Sequence, residues 1–351
     1  MKIKLLIFQI ICCSIFTNLY AQTGAHSTFE FLRMPVSTKA VALGGYILTQ
    51  QSNDVSLAAY TPSLLNDKMN RNFTLQHEIL FAGIQHGQIN YTKYDSKHDI
   101  TFSGGIQYIN YGNFKRADET GETHGNFGAE ETALQFGFGK KLNPLFTYGV
   151  NAKLVASRLD DLLATGAAID ISATYADTAK KMAVTCLIKN AGLQLKNYYP
   201  NNVYDEISSE AFPTDLLVGF SKRLAHIPFA FHLTAHHLTQ WNIRYDNPKD
   251  VVSSVVLNAD TAQNSTPKKY TIDKLFRHLN FGGELFLGKS LSVQIGYNNL
   301  RRQELKTTTR NGLIGFSGGF HVKTKRFTIG YCRAWYYLPS ASNSLSLSFR
   351  L

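Results

Sequence analysis

Apolar and polar residues alternate with a period of two along most of this chain. The last eight residues, Ser344-Leu345-Ser346-Leu347-Ser348-Phe349-Arg350-Leu351, do so without a fault. Such alternation puts successive side chains on opposite faces of a strand, one in an apolar medium and the other in a polar one. A terminal strand needs a partner on both edges, and a closed barrel supplies this. Leu345, Leu347, Phe349 and Leu351 are therefore expected to face lipid. About fourteen alternating segments are predicted, near 72–80, 84–93, 99–111, 132–140, 146–157, 165–176, 181–193, 215–224, 228–240, 278–288, 290–300, 311–323, 326–338 and 344–351. In 146–157, Phe146, Tyr148, Val150, Ala152 and Leu154 take one face and Thr147, Gly149, Asn151, Lys153 and Ser157 the other.

The connections alternate short and long. Short turns are predicted near 94–98, 141–145, 177–180, 224–227, 288–290 and 323–326, long loops at 112–131, 194–214, 241–277 and 301–310, and a modest loop at 158–164. Sorting by length onto two rims is the outer-membrane pattern; a soluble β-sandwich has no reason to sort its loops. The fold class expected is all-β, a transmembrane antiparallel barrel of about 14 strands over 69–351. An even strand count puts both ends on the short-turn rim, which is then periplasmic, with the long loops extracellular.

Residues 22–68 break the strand pattern. Ser37 can cap a short Ala-rich helix ending at Gly44, Asn53-Asp54 marks a turn, and Thr61-Pro62 leads toward the first strand. An apolar segment ahead of a barrel is most simply a plug-like hatch in its lumen. Residues 1–21 read as a secretory signal: Lys2 and Lys4, an apolar core from Leu5 to Phe16, and Leu19-Tyr20-Ala21 before Gln22.

Composition agrees with a barrel. The mean hydropathy of −0.15 is ordinary for a barrel, because half of each strand faces water. Aromatic residues make up 12%. The formal net charge is +11, with lysines such as Lys97, Lys140, Lys180, Lys289 and Lys325 in or beside the short turns. That rim can meet anionic lipid headgroups, or its charges can simply be solvated. Nucleic acid is excluded as a partner by the exported location. Cys186 and Cys332 lie in alternating segments and read as buried or lipid-facing thiols.

The stretch FEFLRMPVSTKAVALGGYILTQQSNDVSLAAYTPSLL carries an ordered set of motifs: FL-x-x-P-x-S, A-x-A-L-G-G, an Asp-Val turn and Pro-Ser-Leu-Leu. It resembles the N-terminal region of FadL-like, PorV-like outer-membrane barrels of Bacteroidetes, the family of the type IX protein secretion system. Gly105–Gly112, Lys189-Asn190-Ala191-Gly192 and Leu233–Leu238 with Trp241 are similar to family strand motifs. One departure is Thr61-Pro62, where related barrels often carry Asn-Pro. The resemblance implies a fourteen-stranded barrel that helps deliver cargo to the cell surface. It also implies a PorZ-like surface partner within an attachment complex that includes PorU and PorV.

Catalysis finds no support: Gly315-Phe316-Ser317-Gly318-Gly319 spells Gly-x-Ser-x-Gly but falls inside the predicted strand 311–323 and not at a strand-to-helix elbow, and there is no His-Glu-x-x-His or phosphate loop. No cofactor and no metal site is expected. His232 and His236 would share a strand face roughly 13 Å apart, too far for one ion. The adjacent acids Glu130-Glu131 and Asp160-Asp161 read as solvated loop charges. For partner docking the candidates are Tyr198, Tyr199, Tyr204 and Phe212 in one long loop, and Trp241, Tyr245 and Tyr270 in another. These aromatics either anchor a partner or fold back over the barrel mouth as a lid. Three function classes stay open: a secretion barrel that binds protein partners, a FadL-like channel for hydrophobic or small solutes, and a soluble exported β-protein.

Overall fold

The computed structural model describes residues 27–49, 54–198, 210–243, 271–305, 312–337 and 340–351. The predicted signal at 1–21 lies outside them. Fourteen antiparallel strands close into one barrel. They are β1 Asn72–Ile79, β2 Gln85–Asp95, β3 Ile100–Ala117, β4 Thr123–Lys141, β5 Phe146–Leu159, β6 Leu162–Asp177, β7 Met182–Lys196, β8 Asp215–Arg223, β9 Phe229–Ala235, β10 Leu279–Leu287, β11 Leu291–Asn298, β12 Phe316–Lys323, β13 Phe327–Tyr337 and β14 Ser340–Arg350. Each neighbours its successor, and β14 closes on β1 with Asn72 opposite Arg350 and Ile79 opposite Asn343.

The barrel is inside-out relative to a soluble protein. On β1, Thr74, Gln76 and Glu78 are buried, while Leu75 and Ile79 are exposed. On β14, Ser342 and Ser344 are buried while Leu345 and Leu347 are 54% and 39% exposed. Ile106, Phe136, Leu154, Ile171 and Ile295 continue the apolar exterior around the wall. A belt of exposed Leu, Ile and Phe over a polar interior would be unstable in water and is what a bilayer requires. The soluble-sandwich alternative fails on this alternation and on closure.

Several sequence expectations differ from the structure. Residues 112–131 are not a long loop: β3 and β4 run on to a five-residue turn at 118–122, with Phe114 paired to Phe127. Their side chains from 113 to 126 are almost all exposed, so both faces meet water there. The hydrogen-bonded ladder continues where the hydrophobic alternation, the only sequence signal, has stopped. The loop at 158–164 is likewise only the turn Asp160-Asp161 between β5 and β6, with Asp160 at φ 56°. The predicted strand 228–240 ends at Ala235, and His237 takes φ 56°. The long connections that remain, 197–214, 236–278 and 299–315, all leave the same rim. That rim also carries short turns, so length sorts less cleanly than expected. Helix α3 Thr271–Arg277 and helix α4 Asn299–Leu305 occupy parts of these connections.

Ahead of β1 lie helices α1 Thr38–Ala42 and α2 Val55–Tyr60, with short 3-10 turns around them. Ser37 caps α1, its Oγ accepting from the Lys39 N–H at 3.2 Å, and Gly44 and Gly45 end it at φ 96° and 104°. The Asp54 carboxylate caps α2 by accepting from the Ser56 N–H at 2.9 Å, and takes the Ser37 hydroxyl at 2.8 Å. One capping network thus ties the two helices together.

Candidate functional site: the occupied lumen and its long-loop rim

The described parts of the N-terminal segment, Thr28–Thr49 and Asp54–Met69, pack against the inward-facing side chains of the strands. Their own core is Leu43, Ile47, Val55, Leu57, Leu64, Leu65 and Met69, all buried. Phe29, Phe31 and Leu32 pack on Ile109, Ala133, Val155 and Ala164, an apolar patch on the inner wall of β3–β6. Val41 and Ala42 pack on Cys332 and Ala334 of β13. This apolar filling sits inside a polar wall, so backbone groups at the seam need partners. The wall provides them. Asn280 Nδ2 donates to the carbonyls of Leu43 and Tyr46, each at 2.9 Å, and Asn298 Nδ2 to that of Gly44 at 3.0 Å. Ser317 Oγ donates to the Ala42 carbonyl at 3.0 Å. Across the lumen, the Ser63 N–H donates to Ser172 Oγ, and Thr147 Oγ1 donates to the Ser63 carbonyl, both at 2.8 Å.

Glycines in the wall make the seat. A Cβ on Gly149 would collide with the Pro62 carbonyl group, and one on Gly139 would lie 2.6 Å from the Pro62 oxygen. A Cβ on Gly296 would collide with the Leu43–Gly44 peptide, one on Gly282 would lie 3.0 Å from Leu43, and one on Gly219 2.8 Å from the Leu48 Cβ. Glycine inside a strand marks a close backbone approach. The sequence therefore held a signal for these contacts that alternation alone does not show.

Two buried ion pairs brace the interior. Lys39 Nζ of α1 lies 2.6 Å from Glu284 Oε1 of β10, and Gln294 Nε2 donates to the same carboxylate at 2.9 Å. On the other side Lys153 lies 2.6 Å from Asp170 and donates to Asn190 Oδ1 at 2.8 Å. Lys189 Nζ sits 3.5 Å over the Tyr60 ring. His232 points inward, 4.0 Å from Glu284, while His236 lies past the strand end, stacked on Tyr46 at 4.1 Å. They belong to separate environments and form no joint ligand set.

At the long-loop rim, Tyr198 and Phe212 are only partly exposed and turn inward. The Tyr198 hydroxyl is 2.6 Å from Ser157 Oγ, and the Phe212 ring is 5.3 Å from that of Phe29. A bridge between Ser27 and Ala211 brings this loop onto the start of the lumenal segment. Trp241 is 54% exposed, with its ring stacked on His278 at 5.0 Å. Tyr199, Tyr204, Tyr245 and Tyr270 lie outside the described residues. At the β3–β4 tip, Asp118, Glu122 and His124 bring ligand atoms within 4.8 Å of one another, all exposed. Hydrogen bonds from Thr120 and His124 hold the Asp118 carboxyl down at about 2.

No family model matches the chain, and no curated protein matches it in sequence. Among solved structures it is similar to the Pseudomonas putida toluene transporter TodX, with TM-score 0.55 and 10% identity, over 91% of this chain and 98% of that one. The deltaS2 mutant of the TodX monoaromatic hydrocarbon channel gives TM-score 0.51 and 12% identity, over 92% and 100%. A Pseudomonas aeruginosa FadL homologue gives 0.47 and 10%, over 90% and 98%. The fold is the fourteen-stranded barrel that TodX also has. At such identities the likeness shows the architecture alone, and function has to be argued from the site.

Proposed function

We infer that this chain is a non-enzymatic outer-membrane barrel plugged by its own N-terminal segment, with the long-loop rim serving as a docking surface for a protein partner at the cell surface. The observation that carries this reading is the packed, hydrogen-bonded filling of the lumen by Thr28–Thr49 and Asp54–Met69. A barrel so filled is better suited to anchoring than to conducting. The motif order within FEFLRMPVSTKAVALGGYILTQQSNDVSLAAYTPSLL adds the finer reading: a PorQ-like component of the type IX secretion system that holds a PorZ-like surface protein, with PorU and PorV in the same attachment complex. In this reading the short-turn rim and the chain ends are periplasmic, and outer-membrane lipids surround the wall.

A second reading has its own support, and the solved neighbours favour it: a FadL-like channel for hydrophobic or small solutes. TodX is a toluene transporter, and this barrel has a cavity of about 250 Å³ beside Met34, Pro35, Tyr46, Leu300, Leu305 and Tyr336. A monoaromatic ring fits a space of that kind. Two measurements on the tagged full chain separate the readings. Gentle detergent extraction should bring down a surface protein in fixed ratio, and proteoliposomes should pass toluene no faster than empty vesicles. Facilitated toluene entry with no stoichiometric partner would establish the channel instead.

A further inference from the structure

A cavity of about 570 Å³ opens at the rim opposite the long loops, between the lumenal segment and the ends of β10–β14 and β1. That is the size of a small-ligand site. Its lining is unlike the rest of the lumen. Lys68, Lys289, Lys323, Lys325, Arg326 and Arg350 surround the mouth, and Lys39 forms part of the inner end. The acid in this lining is Asp54, whose carboxylate caps α2, and Lys39 is already paired with Glu284. No ion pair joins any of the six mouth cations to an acid among the described residues.

The donors continue inward. Ser346 and Ser348 of β14 and Ser292 of β11 line the wall, and His321 of β12 closes the far side. His321 is buried, its Nδ1 is 3.0 Å from Gln294 Oε1, and its Nε2 has no hydrogen-bond partner. A buried polar atom with no partner costs stability unless something completes it. Six like charges around one opening also repel one another. Nδ1 donates to Gln294 Oε1, so Nε2 presents a lone pair, and both costs are relieved by an anion that brings acceptor oxygens to the cations and a hydroxyl to Nε2.

We propose that this cavity is a binding site for a phosphate-bearing anion, with the mouth cations neutralising its charge, the serines meeting its oxygens and His321 Nε2 accepting from a hydroxyl of the phosphate or of the group it carries. The phosphate belongs to a lipid headgroup at the membrane surface or to a soluble phosphorylated molecule; the recognition chemistry is the same. The site is independent of whether the long-loop rim docks a protein or admits a solute.

The test uses the full chain in zwitterionic micelles at about 50 mM salt, where screening is modest. Inorganic pyrophosphate and dioctanoyl phosphatidylglycerol are titrated separately. At least one should bind saturably at one site. Lys323→Gln/Lys325→Gln should weaken it by about tenfold or more, as expected for losing two charge-assisted contacts. Lys93→Gln/Lys97→Gln removes the same charge from the same rim outside the cavity and should change affinity less than twofold. Preference for the lipid assigns a headgroup, and preference for pyrophosphate assigns a soluble ligand. His321→Asn should weaken whichever probe binds while heat-modifiable gel migration stays that of the parent. Saturation by neither probe, or equal losses from both double variants, would overturn the site.

Discussion

Lys39→Met breaks the ion pair that ties α1 to the wall of β10. Glu284 is fully buried, and Gln294 also donates to its carboxylate, with His232 4.0 Å away. Removing one partner of a buried pair leaves an uncompensated charge and costs about 3–5 kcal/mol. If that cost falls on the seated state of the segment, the unseated population rises by about a hundredfold to several thousandfold, at 1.4 kcal/mol per tenfold. Cys332 reports this directly, because its thiol is buried on the inner wall beneath Val41 and Ala42. In a Cys186→Ser background, a water-soluble maleimide should label Cys332 slowly in the parent and faster by about that factor in Lys39→Met. Lys39→Met/Glu284→Gln removes both charges and should return labelling most of the way, since replacing a whole buried pair is close to neutral. A Lys39→Met rate within twofold of the parent would refute the reasoning. So would a double variant as reactive as the single one, because the effect would then not be electrostatic.

Other consequences follow from single contacts. Gly296→Val puts a side chain into the Leu43–Gly44 peptide and should lower the temperature at which the folded gel band is lost, whereas Gly318→Ala, whose nearest heavy-atom neighbour would be 3.5 Å away, should leave it unchanged. Leu347 lies on the exterior, so Leu347→Arg should cost up to about 2–4 kcal/mol if it sits near the bilayer midplane; normal insertion of Leu347→Arg/Phe349→Asp would argue against that placement. The Asp118 carboxyl is depressed from 3.8 to about 2. Its support of the β3–β4 turn is therefore complete above its unfolded value and lost as pH falls through about 2, so exchange of the Thr120 and Glu122 amides should accelerate only below pH 4. Unchanged protection down to pH 2 would contradict this.

The strands were legible because a bilayer outside and a polar lumen inside write a period of two into every wall segment. All fourteen predicted segments meet one of the fourteen strands. The signal fails where its cause ends. Asn113 to Gly125 remain in β3, β4 and their turn, yet both faces are wet, so the pattern reads as loop. The lumenal contacts were only half legible. Ser37 and Gly44 mark the helix, and the segment's departure from alternation marks it as non-wall. Its partners on the wall are single residues far apart in sequence, such as Asn280, Ser317 and Gly149, and only closure of the barrel brings them together. Lys39 looked like any helix lysine, since nothing local distinguishes a cation that meets Glu284 from one that meets water. The aromatics of the long loops show the opposite difficulty. Composition makes Tyr198 and Phe212 equally good anchors or lids, and the register that puts Phe212 against Phe29 is set by the fold.

The central claim is that this barrel crosses the outer membrane with its lumen filled by Thr28–Thr49 and Asp54–Met69. The most direct measurement is conductance of the purified full chain in a planar bilayer, after insertion has been verified by heat-modifiable migration. The intact chain should pass no steady ionic current, and Lys39→Met should show brief openings as the segment unseats. A stable open conductance from the intact chain would contradict the claim.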